Sequence, residues 1–422
     1  MREIAFDPLS PEQRADPFPV YAEARRDAPV FYAPAFDLWV VTRYDDVLAV
    51  LKDHETYSSR NALRSAPHEP PPEVRDVLAQ GWPQMPIILD SDPPLHQRIR
   101  RPITKAFTPR RVAELAPRIE AIAQELLDGF AADGEADIVE RFAWPLPLRV
   151  MGELIGVPAG DLRWLHERSR DWLSLYGAGG SVEEQLAAAE GTVAFQRYFV
   201  DVMEERAREP RDDLMSALLA AVAEEDDPIS LVELAGVPLD LLVAGHVTVT
   251  RAIGSALVLL LRDPEALEEL RREPELVAGA IEEILRLESP AQGLFRETTR
   301  DVELGGVRLP RGARLMVHFG SANRDERQFA EPDRYRPLRT DGGKHVAFGK
   351  GIHFCIGAPL ARLELSIALP LLLDRLPNLR RADDGPLAYD PIFFARGLSS
   401  LTLAWDAWPP SSRTSGAVSS GS

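Results

Sequence analysis

The stretch Phe348–Gly357 reads Phe-Gly-Lys-Gly-Ile-His-Phe-Cys-Ile-Gly and holds Cys355, the one cysteine among 422 residues. A lone cysteine closes no internal disulfide, and a single thiol cannot build a zinc or iron–sulfur cage of its own. Two readings remain: an inert buried thiol, or a thiolate serving as one axial ligand. The neighbours favour the second. Gly349 and Gly351 let the backbone turn tightly and approach a flat ligand closely. An apolar helical pattern of Leu360, Leu363, Leu365 and Ile367 begins after Gly357, which sets the sulfur at a helix N-terminus. There the dipole and the unpaired N–H groups favour negative charge. His353, two residues earlier, offers a nitrogen to an anionic edge.

This loop resembles the haem-binding loop of the cytochrome P450 superfamily, Phe-Gly-x-Gly-x-His-x-Cys-x-Gly, at every fixed position: Phe348, Gly349, Gly351, His353, Cys355 and Gly357. The resemblance implies that Cys355 holds the iron of haem b as thiolate. It also implies one mainly α domain over residues 1–408 with a smaller β region, the haem lying between a long central helix and the cysteine loop. Residues 409–422, rich in Ser, Gly and Pro, are expected to form a disordered tail.

A formal net charge of −18 and a pI near 5.0 argue against nucleic acid or an anionic membrane as partner. Met1–Val20 lacks a secretory pattern. No run approaches the roughly 20 apolar residues of a membrane span. The longest candidates, Val237–Ile253 and Ser255–Leu261, are interrupted or bounded by Asp240, His246, Arg251 and Arg262. The expectation is a cytoplasmic monomer.

Along the chain, Val30–Tyr32 and Trp39–Thr42 read as strands and Tyr44–Leu51 as helix. The proline-rich residues 61–94, with the apolar cluster Met85–Leu89, suggest a binding loop. His96 and Arg100, four residues apart, share a helical face. The plain reading is a solvated basic turn, whereas the resemblance implies contacts to haem propionates. Helices are expected at Leu115–Phe130, Leu146–Gly156, Asp161–Leu175 and Val182–Arg208, the last two flanking a flexible break at Gly177–Ser181. The resemblance implies that this pair forms a lid over the substrate. Ser230 and Glu233 form a capping pattern for a long apolar helix that Pro238 should bend or delay.

Ala244-Gly245-His246-Val247-Thr248 is similar to the family's oxygen-activating helix segment, Ala-Gly-x-acid-Thr. The resemblance implies that Ala244 and Gly245 leave room for haem and that Thr248 hydrogen-bonds bound dioxygen or water. Standing alone, the segment reads as a helix-packing groove with threonine bonded to its own backbone. Val247 departs from the pattern where the acid belongs, and His246 is the nearest titratable candidate for a proton relay. Glu283 and Arg286 read plainly as a surface ion pair, but the resemblance implies a buried structural network with Arg339. Arg296 is implied as a third propionate partner. Val302–Leu304, Val307–Leu309 and Arg314–His318 suggest a small sheet.

The resemblance implies a monooxygenase drawing electrons from NAD(P)H through a separate ferredoxin and ferredoxin reductase, since the chain has no flavin or iron–sulfur segment of its own. Lys344, His345 and Lys350, with Arg110 and Arg111, are candidates for an acidic ferredoxin's docking face. Placement against the family pattern gives Leu89, Leu241, Ala244, Val247, Ala291, Leu294, Phe295, Phe393 and Phe394 as pocket walls, suited to a large apolar or aromatic secondary metabolite. Hydroxylation, epoxidation and oxidative aromatic coupling, for instance of a bis-indole, all stay open. So do a peroxide-driven peroxygenase, a non-enzymatic haem-binding or sensing protein, and a haem-free helical protein.

Overall fold

The computed structural model describes residues 4–64, 69–82, 85, 87–176 and 180–407. The expected tail 409–422 and residues 177–179 of the expected break lie outside them. The helices that frame the site, numbered in chain order, are α1 (Leu95–Ala106), α2 (Pro145–Ile155), α3 (Leu162–Ser174), α4 (Val182–Arg208), α5 (Leu231–Leu261), α6 (Val277–Leu287) and α7 (Ala358–Arg375).

Helix α5 begins where its capping residues say it should. Ser230 Oγ accepts the Glu233 N–H at 3.2 Å, and Glu233 Oε2 accepts the Ser230 N–H at 2.7 Å. The helix then runs through Pro238 without ending there, contrary to the delayed start that proline suggested. An interior proline costs about 3 kcal/mol, and α5 recovers this by packing against α2, α4 and α7. By length and apolar content α5 also suits a bilayer, which the run-by-run reading of the sequence missed. It is instead a core helix, with 67% of its most apolar window buried inside the protein.

The main sheet takes strands from both ends of the chain: β1 (Val30–Ala33), β2 (Leu38–Val41), β3 (Tyr57–Ser58), β4 (Gly293–Thr298) and β5 (Arg314–His318), in the order β1-β2-β5-β4-β3. The β2–β5 pairing is parallel, with Trp39 opposite Leu315 and Val41 opposite Val317, and the other pairings are antiparallel. Val30, Val41, Val47, Val317 and Phe329 form a second core beneath this sheet. Val302–Leu304 and Val307–Leu309 pair with each other alone, turning at Gly305 and Gly306, both at positive φ. Period-two alternation along β4 sends Leu294 and Arg296 to one face and Phe295 to the other.

Candidate functional site

Cys355 lies in a loop whose shape depends on two glycines. Gly349 and Gly351 adopt φ of 67° and 72°, and a Cβ on Gly351 would collide with the carbonyl of Leu51. The Cys355 N–H donates to the Phe348 carbonyl at 2.9 Å and closes the loop. Burial pushes the thiol up, while the N–H groups of Gly357 and Ala358 and the charges of Arg100 and Arg362 pull it down. These opposing effects suit a sulfur that ionises when a cation arrives, since a coordinating metal deprotonates a thiol outright. Arg362 is held nearby by Glu282, its Nε 2.6 Å from Oε1.

Around this loop the fold gathers four basic side chains, His96, Arg100, Arg296 and His353. His96 is 2% exposed, and neither ring nitrogen has a hydrogen-bond partner among the described residues. Its ring lies 4.4 Å from that of His353, whose Nε2 is 2.8 Å from Ser59 Oγ. Arg100 donates to the Phe354 carbonyl at 2.6 Å, and buried Arg296 donates to the carbonyl of Phe295 at 2.7 Å. Burial holds Arg296 down at about 10, although Asp92 and Asp90 oppose it. His353 is pushed down to about 2, first by burial and then by Arg296, His96 and Arg100, so these four groups converge. A buried ring with neither nitrogen bonded, as in His96, is costly. The two carboxylates of a haem would satisfy it and pair with the neighbouring guanidinium groups, so the residues present fit that group.

Helix α5 offers the opposite wall. Ala244 is exposed in the middle of an otherwise enclosed helix. Thr248, one turn on, keeps its hydroxyl on the Ala244 carbonyl at 2.7 Å. Part-buried Leu241 and Val247 flank this face.

Two expectations for this segment need correction. Gly245 makes room for a neighbouring helix: a Cβ there would lie 2.6 Å from Met151 Sδ of α2. His246 is fully buried and turned away, two residues or about 200° around the helix from Ala244. Its Nδ1 is 2.6 Å from the Leu242 carbonyl, and its Nε2 faces His166 and Ser169 of α3 at 3.4 and 3.3 Å. Burial lowers its pKa to about 3, which leaves a neutral packing residue and no relay.

Other positions divide in the same way. Leu89, Ala291 and Leu294 are part-buried. Phe295 and Phe393, expected as pocket walls, are 2% exposed each and stack 5.7 Å apart in the core beside Phe6 and Phe36. The β4 alternation explains Phe295. Phe394 is also buried, and its carbonyl accepts the Gln292 N–H at 2.8 Å. His345, expected on a docking face, is buried against Glu282 at 3.2 Å, whereas Lys344, Arg110 and Arg111 are exposed and Lys350 is part-buried.

Glu283, Arg286 and Arg339 do form a buried network rather than a surface pair. Arg286 makes two 2.7 Å bonds to Glu283, and Arg339 Nε adds a third at 3.0 Å. The sequence reading passed over Asp240, which looked like a mere interruption of an apolar run, and Arg362. The signal for Asp240 was available: an acid eight residues before Thr248 on a buried helix.

A Cytochrome P450 family model matches residues 189–380. Cytochrome P450 107B1 of Saccharopolyspora erythraea is 43% identical over 377 residues, covering 87% of this chain and 89% of its own. The mycinamicin IV hydroxylase/epoxidase of Micromonospora griseorubida is 39% identical over 375 residues, covering 87% and 90%. Among solved structures, cytochrome P450 CYP109Q5 from Chondromyces apiculatus superposes with a TM-score of 0.85 at 38% identity, covering 96% of this chain and all of that one. Loop, helix wall, buried network and relatives spanning nearly the whole length agree: the chain belongs to the cytochrome P450 superfamily of haem-thiolate monooxygenases.

Proposed function

We propose that this P450 binds haem through Cys355, takes electrons from NAD(P)H by way of a ferredoxin and its reductase, and oxidises a largely apolar small molecule of secondary metabolism. The observation that carries the reading is the convergence of His96, Arg100, Arg296 and His353 beside Cys355, with both ring nitrogens of buried His96 unpartnered among the described residues. The bound haem would supply dioxygen activation, favoured by the electron-rich sulfur.

The chain's own residues would then do four things. His96, Arg100 and Arg296 fix the carboxylate edge. Ala244 leaves space on the helix wall. Thr248 hydrogen-bonds the species in that space once its hydroxyl leaves the Ala244 carbonyl. Val247 carries no proton, so ordered water or the substrate itself delivers protons. The substrate class is supported by relatives named as the mycinamicin IV hydroxylase/epoxidase, the 6-deoxyerythronolide B hydroxylase and PikC. A cytoplasmic monomer completes the proposal.

The test is a spectrum of the reduced, carbon-monoxide-bound protein followed by reconstitution. A red-shifted thiolate Soret band and turnover with reduced ferredoxin are expected. Absence of the band would sink the ligand assignment. Val247 favours one second reading, a peroxygenase, which turnover with hydrogen peroxide but not with ferredoxin would establish.

A further inference from the structure

Asp240 sits on α5 four residues before Ala244, so the two share a helical face, with the carboxylate roughly 6 Å further along the axis. The residue is 6% exposed. One carboxylate oxygen, Oδ2, accepts the Ile88 N–H at 3.2 Å, from the short turn Ile88–Asp90. No hydrogen bond or ion pair from a described residue reaches its other oxygen, Oδ1.

The surroundings are anionic and aromatic. Asp90 adds to the negative field at Asp240, and both acids act on Tyr176. The Tyr176 ring packs 4.6 Å from that of Trp172 at the end of α3. Arg296 and Arg64 offset part of the Asp90 charge, but neither figures among the groups acting on Asp240. A buried carboxyl with one oxygen left unbonded by the described residues, its charge felt by Tyr176 of a tilted Trp172–Tyr176 pair, matches the chemistry that recognises ammonium ions, which combines an anion with aromatic rings.

We propose that Asp240 anchors a substrate bearing a cationic nitrogen on an otherwise apolar skeleton, the nitrogen held at Asp240 one turn beyond Ala244 and the oxidised carbon lying toward Thr248. The inference rests on the P450 reading of the same cavity. Asp240 and Thr248 are eight residues apart on one helix, so nitrogen and oxidation site are separated by roughly 12 Å or somewhat less.

The haem-loaded full chain is titrated at pH 8, where Asp240 is mostly ionised, with three ten-carbon probes: decyltrimethylammonium, decanol and decanoate. Binding is read by the iron spin-state shift and, independently, by isothermal calorimetry. The quaternary ammonium has no lone pair, so it cannot mimic binding by ligating iron. The wild type is expected to prefer decyltrimethylammonium to decanol by roughly tenfold or more, with decanoate weakest. Asp240→Asn, which keeps an oxygen for the Ile88 N–H, is expected to lose that preference while holding decanol unchanged. An undiminished cation preference in Asp240→Asn overturns the proposal, as does a wild type that prefers decanol or decanoate. The thiolate Soret band, recorded on the same samples, separates these outcomes from failure of the P450 reading.

Discussion

The Nδ1 atom of His246 lies 2.6 Å from the carbonyl oxygen of Leu242, one turn earlier on the same helix. A carbonyl only accepts, so Nδ1 carries the proton and Nε2 is left facing α3. Both nitrogens are thereby committed to packing. His246→Gln is expected to leave the product formed per NAD(P)H unchanged. Val247→Glu is expected to raise that ratio and Thr248→Ala to lower it several-fold, each checked by product quantitation against cofactor consumption.

Haem anchoring has its own signature. Arg296 and His96 are buried, and neither ring nitrogen of His96 is bonded among the described residues. Arg296→Leu is therefore expected to lower the haem content of purified protein while the haem-free form melts no lower than wild type. Haem-to-protein absorbance ratios and calorimetric melting of the stripped protein are the measurements.

Glu283 accepts hydrogen bonds from two arginines with almost no exposure, 1% for its side chain. Breaking a buried pair by removing one member costs about 3–5 kcal/mol. Glu283→Ala is expected to lose stability on that scale in denaturant unfolding and to yield little folded protein. Exchanging an exposed pair such as Arg110–Glu114 for alanines is expected to change stability by less than about 1 kcal/mol.

Asp240 gives a pH test that needs no ligand. Burial, aided by Asp90 and opposed by the Ile88 N–H, raises its pKa to about 7. An unfolded aspartate titrates near 4, so between those values the native state holds a proton that the unfolded chain has released. The contribution of this group is therefore present below about pH 4 and lost as pH rises through about 7. Asp240→Asn is expected to raise the melting temperature more at pH 8 than at pH 5, by on the order of a few degrees. An equal gain at both values would show that burial does not hold the carboxyl neutral.

What could be read from the sequence was whatever lies along the chain. The Ser230–Glu233 cap, the three short strands after residue 300 and the cysteine loop are local patterns that form where expected, although Arg314–His318 joins the main sheet instead of the small sheet expected with the other two strands. What could not be read was rotation. Gly245 and His246 are one and two residues from Ala244, yet each 100° step selects a different partner helix. Only the packed position of α2 and α3 decides which. The same holds for Phe295, whose side is fixed by the pairing of β4 with β5. Asp240 was visible as a letter, but its burial against the Ile88 N–H depends on how the Ile88–Asp90 turn packs on α5.

The parallel pairing of β2 with β5 also sets a timetable for synthesis. Residues 38–41 wait for 314–318, and His96 and Arg100 wait nearly as long for Cys355. At about 5–20 residues per second that wait is roughly tens of seconds. Through it, the early strands expose edges that only the last third of the chain can cover. The proposed haem-binding residues therefore meet only late in synthesis, and a chain halted before β5 leaves β2 open to pairing with a neighbour.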